Sequence, residues 1–205
     1  MVDKGVARMN ILAISWDEIQ SSLLALADKI SASGYRPDMI VGIARGGWVV
    51  ARVLSDLLEV NDLASVKISL YSGPEEKSKV PVIAQPISES PKGKRVLIAD
   101  DVADSGESLM LARRHILDQG AREIRISTIH LKPWSKVTPD YYVSTTESWI
   151  LYPWELRETL SHLIRIWGKE VDNPSTLRKR LIGAGVPEGI VDRYVGNSLQ
   201  NGGVR

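Results

Sequence analysis

The chain has 205 residues, 43% of them hydrophobic and 25% charged, with a formal net charge of +1. That length suits one ordinary domain with a small appendage, and the nearly cancelled charge excludes a global basic footprint for nucleic acid or an acidic tail. Cysteine is absent and His115, His130 and His162 share no metal-ligand spacing, so disulfides, thiol nucleophiles and a zinc site are not expected.

Residues 1–14 carry no strong pattern. Ser15-Trp16-Asp17-Glu18 is a capping-box sequence, with Glu three residues after Ser. Ile19, Leu23, Leu26 and Ile30 then recur at helical spacing, and Gly34 and Pro37 mark the helix end. "MIVGIA" (39–44) predicts a short buried strand that runs into "RGG" and an apolar helix over roughly 48–58. "SVKISLY" (65–71) alternates like a half-buried strand. Residues 72–92 are rich in Pro, Ser and charge, which predicts a long loop with at most a short strand at 81–84; long loops in compact domains often serve as lids.

"RVLIA" (95–99) predicts the next strand, followed by a helix over about 107–118 that ends near Gly120. "EIRISTIHL" (123–131) predicts another strand, and 140–143 and 148–151 two short strands around a turn. Strands thus alternate with helices from 15 to 131, the pattern of an α/β fold whose parallel sheet is flanked by helices. After Trp154 the periodicity is helical throughout, with a break at Gly185 and Pro187. Residues 1–155 are therefore expected to form the core and 156–205 a helical C-terminal extension. The N-terminus lacks the basic-then-apolar order of a signal peptide, and no apolar run approaches the ~20 residues of a membrane span. A soluble, cytoplasmic protein is expected.

The stretch "VLIADDVADSGESLMLA" (96–112) carries the chemistry. In an open parallel sheet, ligands bind beyond the carboxyl ends of the strands, where Asp100 and Asp101 are expected. The turn Asp104–Ser108 opens a helix, whose first backbone N–H groups favour an anion. Gly106 permits close approach, and Ser105 and Ser108 add hydroxyl donors. Carboxylates beside a phosphate make sense when the phosphate carries a sugar whose hydroxyls face the acids, or when Mg²⁺ sits between acids and further phosphates. A helix cap and solvated strand-end acids would account for each piece alone, but the combination is more specific.

"VLIADDVADSGES" resembles the motif by which type I phosphoribosyltransferases bind 5-phosphoribosyl-1-pyrophosphate (PRPP), and the resemblance extends over most of 15–155. It implies that Asp100 and Asp101 bind the ribose hydroxyls and help hold Mg²⁺. It implies further that Asp104, Ser105, Gly106, Glu107 and Ser108 wrap the 5′-phosphate. "VGIARGG" (41–47) is similar to the family's pyrophosphate loop, with Arg45 and Gly46 as its contacts; a guanidinium fork suits phosphate oxygens. Lys67 is read as an exposed strand lysine.

Within that family Asp104 is the position that discriminates the base. Enzymes for hypoxanthine, guanine or xanthine carry Asp there, near N7 of the purine, where it acts as the proton-transfer group. "HLKPW" (130–134) resembles the purine-recognising lysine loop of the 6-oxopurine enzymes, so that Lys132 would donate to O6. "SWILYPWE" (148–155) resembles the "TWIxxPWD" segment of bacterial xanthine-guanine enzymes. There Trp149 would stack on the purine, Ile150 would lend its backbone and Glu155, one methylene longer than the family's Asp, would approach the base. The resemblance thus implies a purine phosphoribosyltransferase of salvage with a small hood over the sheet, PRPP and a purine base as partners, Mg²⁺ as cofactor, and a homodimer or higher homo-oligomer. An adenine or broad-specificity enzyme, or a PRPP-sensing regulator that binds nucleic acid, are the alternatives. The helical extension has no counterpart in the short bacterial enzymes, and Arg178-Lys179-Arg180 is read as a solvated helix face.

Overall fold

A computed structural model describes residues 10–72, 79–171 and 173–200. In chain order the elements are β1 (Ile11–Ala13), α1 (Trp16–Ala32), β2 (Met39–Ala44), α2 (Gly46–Leu57), β3 (Leu63–Ser72), β4 (Lys79–Gln85), β5 (Arg95–Ala103), α3 (Glu107–Asp118), β6 (Glu123–Leu131), β7 (Tyr141–Thr145), β8 (Trp149–Leu151), α4 (Leu156–Trp167), α5 (Pro174–Gly183) and α6 (Glu188–Gln200). They fall into two compact units, one of residues Gln20–Glu147 and one that joins the chain up to Ile19 with the chain from Ser148 onward.

The larger unit is built on a six-stranded sheet of order β4-β3-β2-β5-β6-β7. Every pairing in it is parallel except β3 with β4. Met39, Ile40, Val41 and Val96 to Ala99 are all buried, as expected for central parallel strands covered on both faces. One layer is α3, whose Leu109, Ala112 and Ile116 cluster with Val41, Ile43, Val96, Ile98 and Ile126. The other is α2, with Val50, Ala51 and Leu54 buried. A Cβ on Gly42 would come within 2.9 Å of the Ala51 Cβ, so a glycine in β2 lets α2 lie close. Each such aliphatic side chain contributes roughly 1.5–3 kcal/mol by leaving water.

The chain passes from β2 to β3 on one side and from β5 to β6 on the other, so the neighbouring ends of β2 and β5 form the topological switch point of the sheet. Both strands end in sequence motifs singled out above.

Several elements differ from the sequence reading. The helix expected from 48 begins at Gly46, because the two glycines are themselves helical. β5 continues past Ala99 to Ala103, since β6 still pairs with it at Asp100↔Thr128, Val102↔His130 and Ala103↔Leu131. Asp100 and Asp101 therefore lie within the strand rather than beyond it. The segment expected to be a long loop contains β4, which runs antiparallel to β3 with Pro81 opposite Leu70; proline is tolerated because β4 is an edge strand. Residues 73–78, near the start of the expected lid, lie outside the described residues. Lastly, the two short strands near 140–151 do not pair with each other: β7 joins β6 and β8 joins β1.

In the smaller unit β1 and β8 run parallel, with Ile11↔Trp149, Leu12↔Ile150 and Ala13↔Leu151. Its core gathers Ile11, Leu151, Leu160, Leu163, Trp167, Leu181 and Val191. The Ile11 N–H donates to Ala184 O at 2.8 Å, and a Cβ on Gly185 (φ +107°) would meet Ile11 O at 2.4 Å, so the α5–α6 turn seats directly on β1. Asn173 caps α5, its Oδ1 accepting from Thr176 N–H at 2.9 Å, with Pro174 in the first turn. The capping box at α1 forms as the sequence predicts: Ser15 N–H donates to Glu18 Oε2 at 2.8 Å and Glu18 N–H to Ser15 Oγ at 3.2 Å.

Candidate active site

At the end of β2 the chain turns through a cis Ala44–Arg45 peptide into an exposed Arg45 and the glycines that open α2. These glycines lie against the acid pair of β5. A Cβ on Gly46 would fall 1.8 Å from Asp101 Oδ2, and one on Gly47 would fall 2.5 Å from Ala99 O and 2.8 Å from Asp100 Oδ1. Glycine is thus required twice, by close approach rather than by backbone angle. The Asp101 N–H donates to Asp100 Oδ1 at 3.0 Å, and the Gly47 N–H also serves the Asp100 carboxylate. Even so, burial first and the Asp101 charge second push the Asp100 carboxyl well above the usual carboxylate range. Such a pair draws a cation or a set of hydroxyl donors.

Three residues on, Asp104 and Ser105 are exposed in the turn before α3. Gly106 takes the left-handed conformation (φ 80°) at the helix N-cap, a region glycine enters without steric penalty. The Ser105 hydroxyl accepts from Glu107 N–H at 3.3 Å. The first-turn amides of a helix have no intrahelical acceptor, and here they gather with Ser105 and Ser108 around one turn.

The loop after β6 is tied to this turn at several points. Lys132 N–H donates to Ala103 O at 3.0 Å and Lys136 N–H to Ser105 O at 3.1 Å. The Lys136 ammonium meets Glu107 Oε1 at 2.7 Å, and Trp134 Nε1 donates to Asp104 Oδ1 at 2.8 Å. Lys132 is only 6% exposed and its ammonium lies 5.4 Å from the Trp134 ring centroid. Burial lowers its pKa below the usual lysine range, and the Asp104 charge opposes that shift in part. His130, two residues earlier, is lowered to about 4 by burial and then by the Lys132 charge.

Of the residues the sequence pointed to, the larger unit therefore sets Gly46 against Asp101, and it brings Asp104 and Lys132 together through Trp134. Trp134 was not singled out; its only local signal is adjacency to the Lys132-Pro133 pair. Lys67 is half-buried and pairs in register with Ala44, beside the Arg45 turn. Trp149, Ile150 and Glu155 belong to the smaller unit. Trp149 is 44% exposed, its ring stacked on His162 with centroids 6.2 Å apart and planes 12° from parallel. Ile150 is buried in β8, and Glu155 occupies the N-cap position of α4, its carbonyl accepting from Thr159 N–H at 3.0 Å.

A mostly parallel sheet with two helix layers, an acid pair and glycine loop at its switch point and a small-residue turn beside them define a type I phosphoribosyltransferase fold. The model of the phosphoribosyl transferase domain family matches residues 15–159, and the chain belongs to that family. A xanthine-guanine phosphoribosyltransferase of Cereibacter sphaeroides is 29% identical over 150 residues, which cover 70% of this chain and 86% of the relative. Among solved structures, a purine phosphoribosyltransferase from Pyrococcus horikoshii is 39% identical with a TM-score of 0.64, covering 71% of this chain and 94% of the other. A Neisseria gonorrhoeae protein solved with bound ppGpp is 26% identical with a TM-score of 0.65, covering 75% of this chain and 94% of the other.

Proposed function

We propose that the protein transfers the 5-phosphoribosyl group of PRPP to a 6-oxopurine, with release of pyrophosphate. In the reaction N9 of the purine attacks C1′, the C1′–O bond to pyrophosphate breaks, and the proton at N7 passes to Asp104. The observation that supports this reading is the link of Asp104 and Lys132 through Trp134, which offers an acid to N7–H and an ammonium to O6. An ammonium has three donors and no acceptor, so it pairs with O6 and opposes an amino group at the same position. A carboxylate here also stabilises the positive charge that develops at the sugar.

Asp100 and Asp101 take the ribose hydroxyls, residues 104–108 the 5′-phosphate, and Arg45 with Gly46 the pyrophosphate. The resemblance assigns stacking on the purine to Trp149, a backbone contact at the 2-position to Ile150 and an approach to the base to Glu155. Mg²⁺ suits the acid pair, because two crowded carboxylates, one of them with raised proton affinity, are relieved by a divalent cation. Among the described residues no group of three or more acids or histidines could hold a metal, so PRPP oxygens and water would complete the coordination. When bound, Mg²⁺ neutralises charge on the departing pyrophosphate. The protein works in the cytoplasm as a homo-oligomer; among the described residues no helix is long and apolar enough to cross a membrane.

Asp104→Asn tests the assignment. Removing a positioned general base typically lowers rates by about 10²–10⁴, so single-turnover rates with the preferred base should fall by that order while PRPP affinity, measured by calorimetry, is kept. A single-turnover rate within a fewfold of wild type would refute the role of Asp104.

A further inference from the structure

Trp134 is 55% exposed. Its Nε1–H donates to Asp104 Oδ1 at 2.8 Å, and its face lies 5.4 Å from the Lys132 ammonium. The backbone beneath it is fixed on both sides, by Ser135 N–H on Lys132 O at 3.0 Å and by Lys136 N–H on Ser105 O at 3.1 Å. Asp104 itself is exposed, and an exposed aspartate samples several rotamers. The indole donor selects one of them and engages one carboxylate oxygen, leaving the other to receive a proton.

From this geometry we infer that Trp134 is a positioning residue of the transfer reaction: one indole orients the Asp104 carboxylate through its N–H and steadies the Lys132 ammonium on its face. The acceptor for N7–H and the donor for O6 are then set by a single rigid side chain. This inference rests on the reading of Asp104 as the proton acceptor. A charge-assisted hydrogen bond of this kind fixes geometry as well as adding strength, and small misplacements of a catalytic group lower rates steeply.

The decisive variant is Trp134→Phe, which keeps a ring for Lys132 and removes only the N–H donor; at an exposed site it should fold normally. The expected result is a kcat about tenfold lower with the preferred purine and an unchanged KM for PRPP. In an Asp104→Asn background the same substitution should add no further loss, because there is no carboxylate left to orient. A readout independent of turnover comes from ¹⁵N-labelled indole spectra. The sequence holds six tryptophans; the N–H signal that vanishes in Trp134→Phe should move upfield in Asp104→Ala, which leaves the indole no carboxylate to donate to. Wild-type kcat in Trp134→Phe, together with impaired Asp104→Asn, would overturn the positioning role and leave the proton-acceptor reading intact. Wild-type turnover in Asp104→Asn would overturn that reading and the positioning role with it. An unmoved Trp134 signal in Asp104→Ala would overturn the contact itself.

Discussion

Replacing either glycine of the Arg45 turn by alanine should break different things, although the two are adjacent. At Gly46 the new Cβ would stand 1.8 Å from Asp101 Oδ2, whereas ordinary contact begins at 3.4 Å, so the oxygen must retreat by the difference, 3.4 − 1.8 = 1.6 Å. The obstacle is the end of a side chain, which can rotate away, and alanine is the better helix former by roughly 0.5–1 kcal/mol. The fold should therefore survive while Asp101 loses its place against the ribose. Loss of hydrogen bonds to a charged group typically costs ~1.5–3 kcal/mol, which is about 10–150-fold in PRPP affinity. At Gly47 the Cβ would meet Ala99 O at 2.5 Å, the backbone of a central strand that cannot yield. Overpacking of that kind costs about 1–3 kcal/mol, or a fall in Tm of ~2–4 °C for each kcal/mol in a chain of this size. Calorimetric titration with Mg-PRPP and thermal unfolding of both variants separate the two effects. If Gly46→Ala binds PRPP within twofold of wild type, the glycine loop and acid pair do not form one site.

Lys132→Met should lower kcat/KM for hypoxanthine or guanine strongly and for adenine little, since a site built to hydrogen-bond a group can reject analogues lacking it by up to ~10⁴–10⁵; an unchanged oxo-to-amino ratio would remove Lys132 from base recognition. The ammonium exists only below its pKa, which burial lowers, so kcat/KM for the base should fall with rising pH below the usual lysine range, and Lys132→Arg should move that limb upward with the same base. His130 is neutral in the fold, with its pKa reduced from 6.5 to about 4. The stability this contributes is complete above pH 6.5 and is lost as pH falls through that window toward 4, by roughly 2–3 kcal/mol; His130→Asn should flatten the Tm-against-pH curve between 6.5 and 5, and an unchanged slope would show that His130 is not its source. Among the described residues the Trp167 indole N–H is buried without a hydrogen-bond partner, while the Arg180 guanidinium lies 4.7 Å from its ring. Trp167→Phe should consequently lower stability far less than the ~3–5 kcal/mol expected of Trp167→Ala, which equilibrium unfolding can check.

The central sheet and its acid turn were legible because their signals are local. β2 and β6 have the bounds the apolar runs predict, and α3 follows from a glycine turn and helical spacing. What escaped the sequence depends on partners distant along the chain. β1 is three residues long and exists because β8 and the Ala184 carbonyl pair with it; no periodicity can show in so short a strand. β4 was disguised by Pro81 and by its charged flank, which suit an edge strand that must not recruit another chain. The extension of β5 through both acids follows from the length of β6 rather than from the residues themselves. Trp134 went unnoticed because its hydrogen bond spans 30 residues. The choice of a 6-oxopurine, in contrast, rested on single residues, Asp104 and Lys132, and only the fold brings those two side by side.

The most direct test of the central claim is nucleotide formation by the purified wild-type chain from Mg-PRPP with guanine, hypoxanthine, xanthine and adenine offered separately. Stoichiometric nucleoside 5′-monophosphate and pyrophosphate are expected with at least one of the three 6-oxopurines, at a kcat/KM on the order of 10²-fold or more above that for adenine. Preference for adenine, or no nucleotide from any of the four bases, would contradict the account.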